Sequence, residues 1–208
     1  WFIVIKGASC MNVGLFGGTF DPIHLGHVDM ICQLCEHMAL DKIIFIPAYI
    51  PPHKHKLNMT PYCHRLAMTR LAIENYSAFE VSGFESESVM PSYTFHTIEH
   101  YKEIYPHDNL FYVMGVDSFN TIEEWYRWQE LLCLANFVIV DRPNKTLDIS
   151  TSTSQVLANS PYDIFYLPLH TLPISSTMIR EKIAANQSVD VFLQPNVLQY
   201  INEHHLYQ

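Results

Sequence analysis

The chain has 208 residues, of which 49% are hydrophobic and 16% are charged, a balance typical of a compact globular protein with a sizeable core. Its formal net charge of −9 argues against broad electrostatic binding to nucleic acid, which needs a basic face. Anionic small substrates are not excluded, because side-chain cations and helix N-termini act at short range.

Cysteine content and hydropathy bear on the cellular compartment. The five cysteines are an odd number without a secretory leader, which favours a reducing cytoplasm over a disulfide framework. No apolar run approaches the ~18–20 residues of a membrane-spanning helix, so we expect no membrane partner. Met11 stands just before the first clear strand. Residues 1–10 are therefore interpreted as an N-terminal extension and residues 11–208 as a single domain, with a homo-oligomer left open.

Short apolar runs alternate with helical patterns along the chain. In order they predict strand 12–16, helix 25–39, strand 42–46, helix 61–76, strand 79–82, helix 93–105, strand 110–114, helix 128–135, strand 137–141, strand 164–167, helix 175–186 and helix 195–204. Residues 144–160, rich in Ser, Thr and Asn, are interpreted as a surface connection with room for one short helix.

Local signals support several of these helices. Helix 25–39 carries apolar residues at i, i+3, i+4 and i+7, the spacing of one helical face: Ile31, Leu34, Cys35 and Met38. Helix 61–76 is predicted to begin with Thr60 as its N-cap and Pro61 at its first position.

Alternation of helices with wholly apolar strands indicates an α/β fold of the Rossmann type. We expect a doubly wound parallel sheet of about five to six strands, with helices on both faces. Ligands of such sheets bind beyond the carboxyl ends of the strands. The loops after Phe16, Ile46, Met114, Asp141 and Leu167 are therefore the candidate site.

The first of these loops carries the string GGTFDPIHLGH at residues 17–27. Gly17 and Gly18 let the backbone turn and approach a ligand closely. His24 and His27 share a face of the first helical turn, where free N–H groups favour phosphate. A metal pair is an alternative, but two histidines at this spacing need a third ligand. Ordinary helix-start residues are the other alternative.

A second cluster, ISSTMIR at residues 174–180, follows the last strand and opens a helix. Ser175 or Ser176 can cap this helix. Arg180 can offer a planar, charged fork to phosphate oxygens. Taken alone, the cluster is equally well explained by a plain N-cap followed by a solvated arginine.

Together, H-x-G-H and I-S-S-T-x-I-R resemble the two signatures of the nucleotidylyltransferase superfamily, and the second is similar to that of nicotinate-nucleotide adenylyltransferases. The resemblance runs from about Val13 to the C-terminus. It implies that His24, His27 and Arg180 are catalytic, contacting a triphosphate and stabilising the pentavalent state at the α-phosphorus. It implies that ATP is bound by Gly17, Gly18, Thr19, Phe20, Lys54, Ser175, Ser176, Thr177 and Arg180.

Lys54 belongs to this set because the string PPHK at 51–54 also resembles the family. The prolines stiffen the loop, and the lysine could reach a β- or γ-phosphate as a point charge. The alternative is a basic surface loop.

Three further strings resemble the family's nicotinate-nucleotide pocket: S-Y-T at 92–94, G-V-D at 115–117 and W-Y at 125–126. A cationic ring favours an aromatic face, and its carboxylate needs N–H and hydroxyl donors, which the Tyr126 and Arg127 amides and Thr94 could supply. Asp117 would lie near ribose hydroxyls. The implied binding residues are Thr94, Gly115, Asp117, Trp125, Tyr126, Arg127 and Arg142.

Alternatives and departures accompany this set. Trp125 could be a core aromatic, and Arg142 could form a structural salt bridge. His96 stands where many relatives have Asp, so no role of that Asp is carried over. Cys32 and Cys35 have no known counterpart, and core packing is favoured for them over redox or zinc chemistry.

The resemblance implies transfer of the adenylyl group of ATP to nicotinate mononucleotide, giving nicotinate adenine dinucleotide (deamido-NAD) and pyrophosphate in NAD biosynthesis. Mg²⁺ would arrive with ATP, and no tightly bound protein metal is expected. Nicotinamide mononucleotide or pantetheine phosphate are alternative acceptors, although the W-Y segment argues against the latter. A non-catalytic nucleotide-binding module is the alternative of another class.

Overall fold

A computed structural model describes residues 10–51, 59–87, 91–141, 145–169 and 171–208. Six strands, all parallel to their neighbours, form one sheet in the order β3-β2-β1-β4-β5-β6. The strands are β1 (Asn12–Gly18), β2 (Lys42–Pro47), β3 (Phe79–Val81), β4 (Asn109–Gly115), β5 (Asn136–Val140) and β6 (Ile164–Leu167). The expected doubly wound, Rossmann-like sheet is confirmed.

The described residues form eight α-helices that connect and follow the strands. They are α1 (Leu25–Met38), α2 (Tyr62–Ile73), α3 (Thr94–Ile104), α4 (Val116–Phe119), α5 (Trp128–Leu131), α6 (Thr151–Asn159), α7 (Ser176–Ala184) and α8 (Pro195–Glu203). Short 3₁₀ turns occur at Phe84–Glu87 and Ile122–Glu124. None of the helices in the described ranges is long and apolar enough to cross a bilayer.

The four inner strands, β2, β1, β4 and β5, are mostly apolar and buried because both faces of the sheet are covered there. In β2, Ile43 and Phe45 face one core, whereas Ile44 and Ile46 face the other. Helices α1, α2, α7 and α8 contribute to the first core, and α3, α4, α5 and α6 pack on the second. Alternate side chains of an inner strand therefore pack into opposite cores.

The first strand is longer than the sequence predicts. Gly17 and Gly18 were expected in a turn, but they pair in parallel register with Ile46 and Pro47 of β2. The turn begins only after them, and Phe20 takes a left-handed backbone conformation with φ of 48°. The two glycines are therefore the last residues of β1, at the carboxyl ends of the parallel strands, where ligands of such sheets bind.

Several helix boundaries also differ from the predicted ones, and two of them, the start of α2 and the end of α5, have an evident cause. Thr60 does not cap α2: Pro61 is the N-cap, because its carbonyl accepts the first helical hydrogen bond, from the N–H of Arg65 at 3.3 Å. Helix α5 ends at Leu131 instead of continuing to residue 135. The helix ends where 3₁₀-type hydrogen bonds between residues three apart begin, the first of them from the N–H of Cys133 to the carbonyl of Glu130.

The strand order creates the crevice. From β1 the chain winds outward through β2 and β3, and then returns to add β4, β5 and β6 on the other side. The carboxyl ends of β1 and β4, which are neighbours in the sheet, mark the switch point between the two directions. The loops that leave them diverge and leave room for a ligand.

Candidate active site

A cleft of about 800 Å³ lies over the carboxyl ends of β1 and β4. Both sequence clusters reach it, although they are separated by about 150 residues. The predicted residues that line it are Gly17, Gly18, Thr19, Phe20, His24, His27, Gly115, Asp117, Trp125, Ser175, Ser176, Thr177 and Arg180.

The two histidines form a compact pair at the start of α1. His24 is buried and is the N-cap, and its ring stacks on that of His27 with centroids 3.7 Å apart. The backbone N–H of His24 donates to His27 Nδ1 at 3.3 Å. Because Nδ1 accepts, a neutral His27 carries its proton on Nε2 and can donate from that atom.

The start of α7 is tied directly to the first cluster. Ser175 caps the helix by accepting from the N–H of Met178 at 3.2 Å. Ser176 Oγ donates to the carbonyl of Pro22 at 2.8 Å, and Arg180 Nη1 donates to the carbonyl of Asp21 at 2.8 Å. The N-termini of α1 and α7 therefore meet around one cleft.

A smaller cavity of about 140 Å³ adjoins the cleft and shares Gly17, Gly18, Thr19, Tyr112 and Trp125 with it. Thr94 and Tyr126, both predicted to bind the carboxylate of the pyridine ring, line this cavity. The ring of Tyr126 stacks on that of Tyr93 at 4.6 Å.

The phenol of Tyr112 lies in the wall common to both cavities. Its oxygen is 3.2 Å from Thr94 Oγ1, and burial raises the pKa of Tyr112 to about 12. The hydroxyl therefore stays neutral at physiological pH. A Cβ added at Gly17 would come within 2.6 Å of this hydroxyl, so glycine is needed here to keep the wall intact.

Asp117 forms an ion pair with Lys145 at 3.3 Å. Both side chains line the large cleft and are about half exposed, so the pair contributes little stability and can exchange partners readily. No local pattern singles out Lys145, which lies in the stretch 144–160 that is rich in Ser, Thr and Asn. Its approach to Asp117 depends on the neighbouring ends of β4 and β5.

The side chain of Arg127 is engaged within the protein, and the predicted role of its backbone N–H stays a prediction. Arg127 lies outside the residues lining the two cavities. Its backbone is left-handed, with φ of 53°, and its guanidinium lies 4.0 Å from the Phe95 ring centroid and pairs with Glu130. The side chain is thus held by Glu130 and by the Phe95 ring. Lys54 and Arg142 fall outside the described residues, so their roles stay predictions.

The unusual residues of the sequence also have clear surroundings. His96 hydrogen-bonds to Glu99 at 3.2 Å and its ring lies 5.5 Å from that of Tyr126, so it contacts a wall residue of the small cavity. Cys32 and Cys35 are free thiols packed against the core. Burial raises the pKa of Cys35 to about 11, which disfavours the reactive thiolate.

Sequence reasoning missed Arg65, which is fully buried. Its guanidinium donates to the carbonyls of Thr60 at 2.9 Å, Thr19 at 2.7 Å and Ala48 at 2.8 Å, and to that of Tyr49 at 3.4 Å. Burial lowers the pKa of Arg65, and Asp21 is the main opposing charge. On a helix with other polar residues nothing local marked this arginine, because all its partners are loop carbonyls.

Glu85 was also missed, because its partners lie on other elements of the chain. It is 8% exposed and lines the small cavity. Its carboxylate accepts from the N–H of Tyr49 at 3.3 Å and from Thr97 Oγ1 at 2.9 Å. Burial raises the pKa of Glu85, and these hydrogen bonds oppose the shift. Glu85 therefore joins the loop after β2 to helix α3, the two sides of the small cavity.

Comparison with known proteins places this arrangement in context. Residues 15–182 match the family model described as cytidylyltransferase-like. The nicotinate-nucleotide adenylyltransferase of Bacillus subtilis strain 168 is 36% identical over 197 residues, covering 95% of this chain and 98% of that protein. A probable nicotinate-nucleotide adenylyltransferase of Shewanella baltica OS185 is 36% identical over 215 residues, covering 95% and 99%.

Solved structures share the fold. The nicotinic acid mononucleotide adenylyltransferase of Plasmodium falciparum complexed with NaAD gives a TM-score of 0.76 at 22% identity, covering 95% of this chain and 97% of that one. The same protein complexed with APC gives 0.74, with the same coverage.

We predict that Arg65→Lys destabilises the protein strongly. A lysine cannot reproduce the planar guanidinium, so some of the loop carbonyls would lose their donor. Each charge-assisted hydrogen bond that is lost should lower the free energy of unfolding by roughly 1.5–3 kcal/mol. Urea unfolding measures the change. Arg70→Lys, at an exposed position of the same helix, is the matched control and should change stability by less than about 0.5 kcal/mol. Equal effects of both substitutions would refute the role of Arg65.

Proposed function

This chain belongs to the nicotinate-nucleotide adenylyltransferase family, and we propose that its cleft performs the reaction named by that family. It transfers the adenylyl group of ATP to nicotinate mononucleotide, giving nicotinate adenine dinucleotide and pyrophosphate, a step of NAD biosynthesis. The observation that carries the proposal is the joining of both motifs: Ser176 and Arg180 donate to the carbonyls of Pro22 and Asp21.

ATP is proposed to bind in the large cleft, with its triphosphate between the starts of α1 and α7. His24 and His27 offer ring N–H donors on one side, and Arg180 offers a permanent cation on the other. The N-termini of the two helices add partial positive charge. The remaining proposed ATP contacts are Gly17, Gly18, Thr19, Phe20, Lys54, Ser175, Ser176 and Thr177.

The mononucleotide is proposed to place its pyridinium ring in the small cavity. Trp125, which lines both cavities, offers an aromatic face to the cationic ring, while Thr94 and the Tyr126 amide are donors for its carboxylate. Asp117 and Gly115 would then lie beside the ribose, with Lys145 close to Asp117. Arg127 contributes through its backbone in this proposal, and Arg142 helps to hold phosphate.

The proposed chemistry is an in-line displacement. An oxygen of the mononucleotide 5′-phosphate attacks the α-phosphorus of ATP, the bond from that phosphorus to the bridging oxygen breaks, and pyrophosphate leaves. Since the nucleophile is already an anion, no strong general base is needed. Catalysis rests on positioning the two phosphates and on stabilising charge at the α-phosphorus.

Mg²⁺ is proposed to enter as part of the ATP complex, where it neutralises triphosphate charge. The carboxylates that line the cleft have protein partners: Asp21 accepts from Thr60 and Tyr207, and Asp117 pairs with Lys145. Such a donor set fits an ion held mainly by substrate oxygens and water, the usual manner for Mg²⁺ in phosphoryl transfer. We further propose a cytoplasmic location, where both substrates are small soluble anions.

The decisive assay measures pyrophosphate release with ATP alone and with each of three acceptors. We expect release with nicotinate mononucleotide, together with formation of nicotinate adenine dinucleotide. Nicotinamide mononucleotide should be used less well, because it lacks the carboxylate, and pantetheine phosphate should not react. Binding of ATP without turnover of any acceptor would instead indicate a non-catalytic nucleotide-binding module.

Replacing His27 by Ala should lower kcat by ~10²–10³-fold, the usual cost of one donor to the developing charge. Steady-state turnover at saturating substrates is the measurement, with circular dichroism to check the fold. His37→Ala, near the other end of the same helix, should leave kcat unchanged. Wild-type turnover in a folded His27→Ala variant would rule out the assigned role.

Replacing Trp125 by Ala should weaken nicotinate mononucleotide binding by roughly 10- to 30-fold, the cost of losing a desolvated cation–π contact of about 2 kcal/mol. ATP affinity should change much less, although Trp125 also borders the large cleft. Calorimetric titration with each ligand separates the two effects. The comparison variant is Trp128→Ala, which removes an indole outside the cavity walls. Equal losses for both ligands would contradict the ring-pocket assignment.

A further inference from the structure

Asp21, which belongs to the first motif, makes three separate contacts, and one of them is with Arg180 of the second motif. Its backbone carbonyl accepts from Arg180 Nη1 at 2.8 Å. Its side chain, in a residue only 6% exposed, accepts from Tyr207 Oη at 2.7 Å on Oδ1 and from the N–H of Thr60 at 3.2 Å on Oδ2. The orientation of this one residue therefore helps to set the direction in which the Arg180 guanidinium points.

Tyr207 reaches Asp21 from 186 positions away in the chain. It follows helix α8, whose Val197 and Ile201 are buried in the same core as Ile179 of α7. Burial, followed by the charge of Asp21, raises the pKa of the Tyr207 phenol. The hydroxyl thus keeps its proton and acts as a donor to the carboxylate. Neither the family motifs nor local sequence patterns point to this tyrosine.

The charge of Asp21 makes this contact important for an anionic substrate. Asp21 lines the large cleft, and an unrestrained carboxylate there would repel a triphosphate. The Tyr207 hydroxyl and the Thr60 N–H together engage both carboxylate oxygens, and the buried Arg65 lies close enough to interact electrostatically with Asp21. These contacts hold the Asp21 carboxylate, and therefore its negative charge, in one position.

We propose that Tyr207 is a positioning residue for adenylyl transfer: its hydroxyl fixes Asp21, and Asp21 in turn aims Arg180 at the polyphosphate. This inference rests on the proposed function. Loss of the hydroxyl leaves a buried carboxylate with one donor fewer, so the Asp21 peptide and the guanidinium that it holds shift together. Displacements of about 1 Å at such a site can lower turnover by up to ~10²-fold.

The test is Tyr207→Phe, which keeps the ring and removes one hydroxyl. We expect kcat to fall about 10-fold, within the range for a small misplacement, while KM for both substrates changes less than about twofold and the thermal midpoint stays near that of the wild type. Tyr162→Phe is the matched control, because it removes a hydroxyl that accepts a hydrogen bond from Lys102 at 2.9 Å. Tyr162 lies just before β6, at the amino ends of the strands, whereas the site lies at their carboxyl ends. The kcat of this control should not change.

A double-mutant cycle separates positioning from general weakening of the structure. In an Arg180→Ala background, Tyr207→Phe should cost less than about twofold, because no guanidinium remains to be oriented. A full 10-fold loss in that background would overturn the inference, as would wild-type kcat in the single variant. If Tyr207→Phe unfolds at the assay temperature, Asp21→Asn takes its place in the same cycle, with the same two outcomes.

The wild-type chain in the same assay distinguishes failure of the positioning role from failure of the proposed function. Turnover of nicotinate mononucleotide by the wild type, combined with unchanged kcat in Tyr207→Phe, refutes only the positioning role. Absence of turnover by the wild type with every acceptor refutes the proposed function, and the positioning role falls with it.

Discussion

A single buried guanidinium holds together the loops on which the site depends. Arg65 donates to carbonyls in the turn after β1, in the loop after β2 and in the segment before α2. Without it, these carbonyls would be shielded from water and lack strong donors, which is costly in a protein interior. The cost of burying the cation is offset by several charge-assisted hydrogen bonds and by Asp21 nearby. The turn that follows Gly17 and Gly18 is thereby tied to the neighbouring loops.

The protein carries 21 acidic residues against 12 Lys and Arg, yet its proposed substrates are anions. Local geometry resolves this conflict, since most surface charge is screened within about 10 Å. The cleft brings together two helix N-termini, the imidazole pair and Arg180, with Lys145 at its side. Its carboxylates are engaged by protein donors. The potential felt by a polyphosphate is therefore set by a few groups at contact distance and not by the net charge.

Much of the fold was predictable because it follows from local patterns. Uninterrupted apolar runs identify strands covered on both faces, and their alternation with helices fixes the parallel, doubly wound arrangement. Rossmann winding then places every strand's carboxyl end at one edge, so the H-x-G-H and I-S-S-T-x-I-R strings were expected to meet there. Boundaries were less predictable. Gly17 and Gly18 extend β1 because β2 continues beside them, a fact about the neighbouring strand.

Residues close together in the chain were enough to predict the strands, the succession of most helices and the two motifs that meet at the cleft. The groups that support these motifs became apparent only in the folded protein. Arg65, Glu85 and Tyr207 act on partners up to 186 residues away. Such contacts leave no periodic or compositional signal, because an isolated polar side chain looks the same in sequence whether solvent or a distant loop receives its hydrogen bonds.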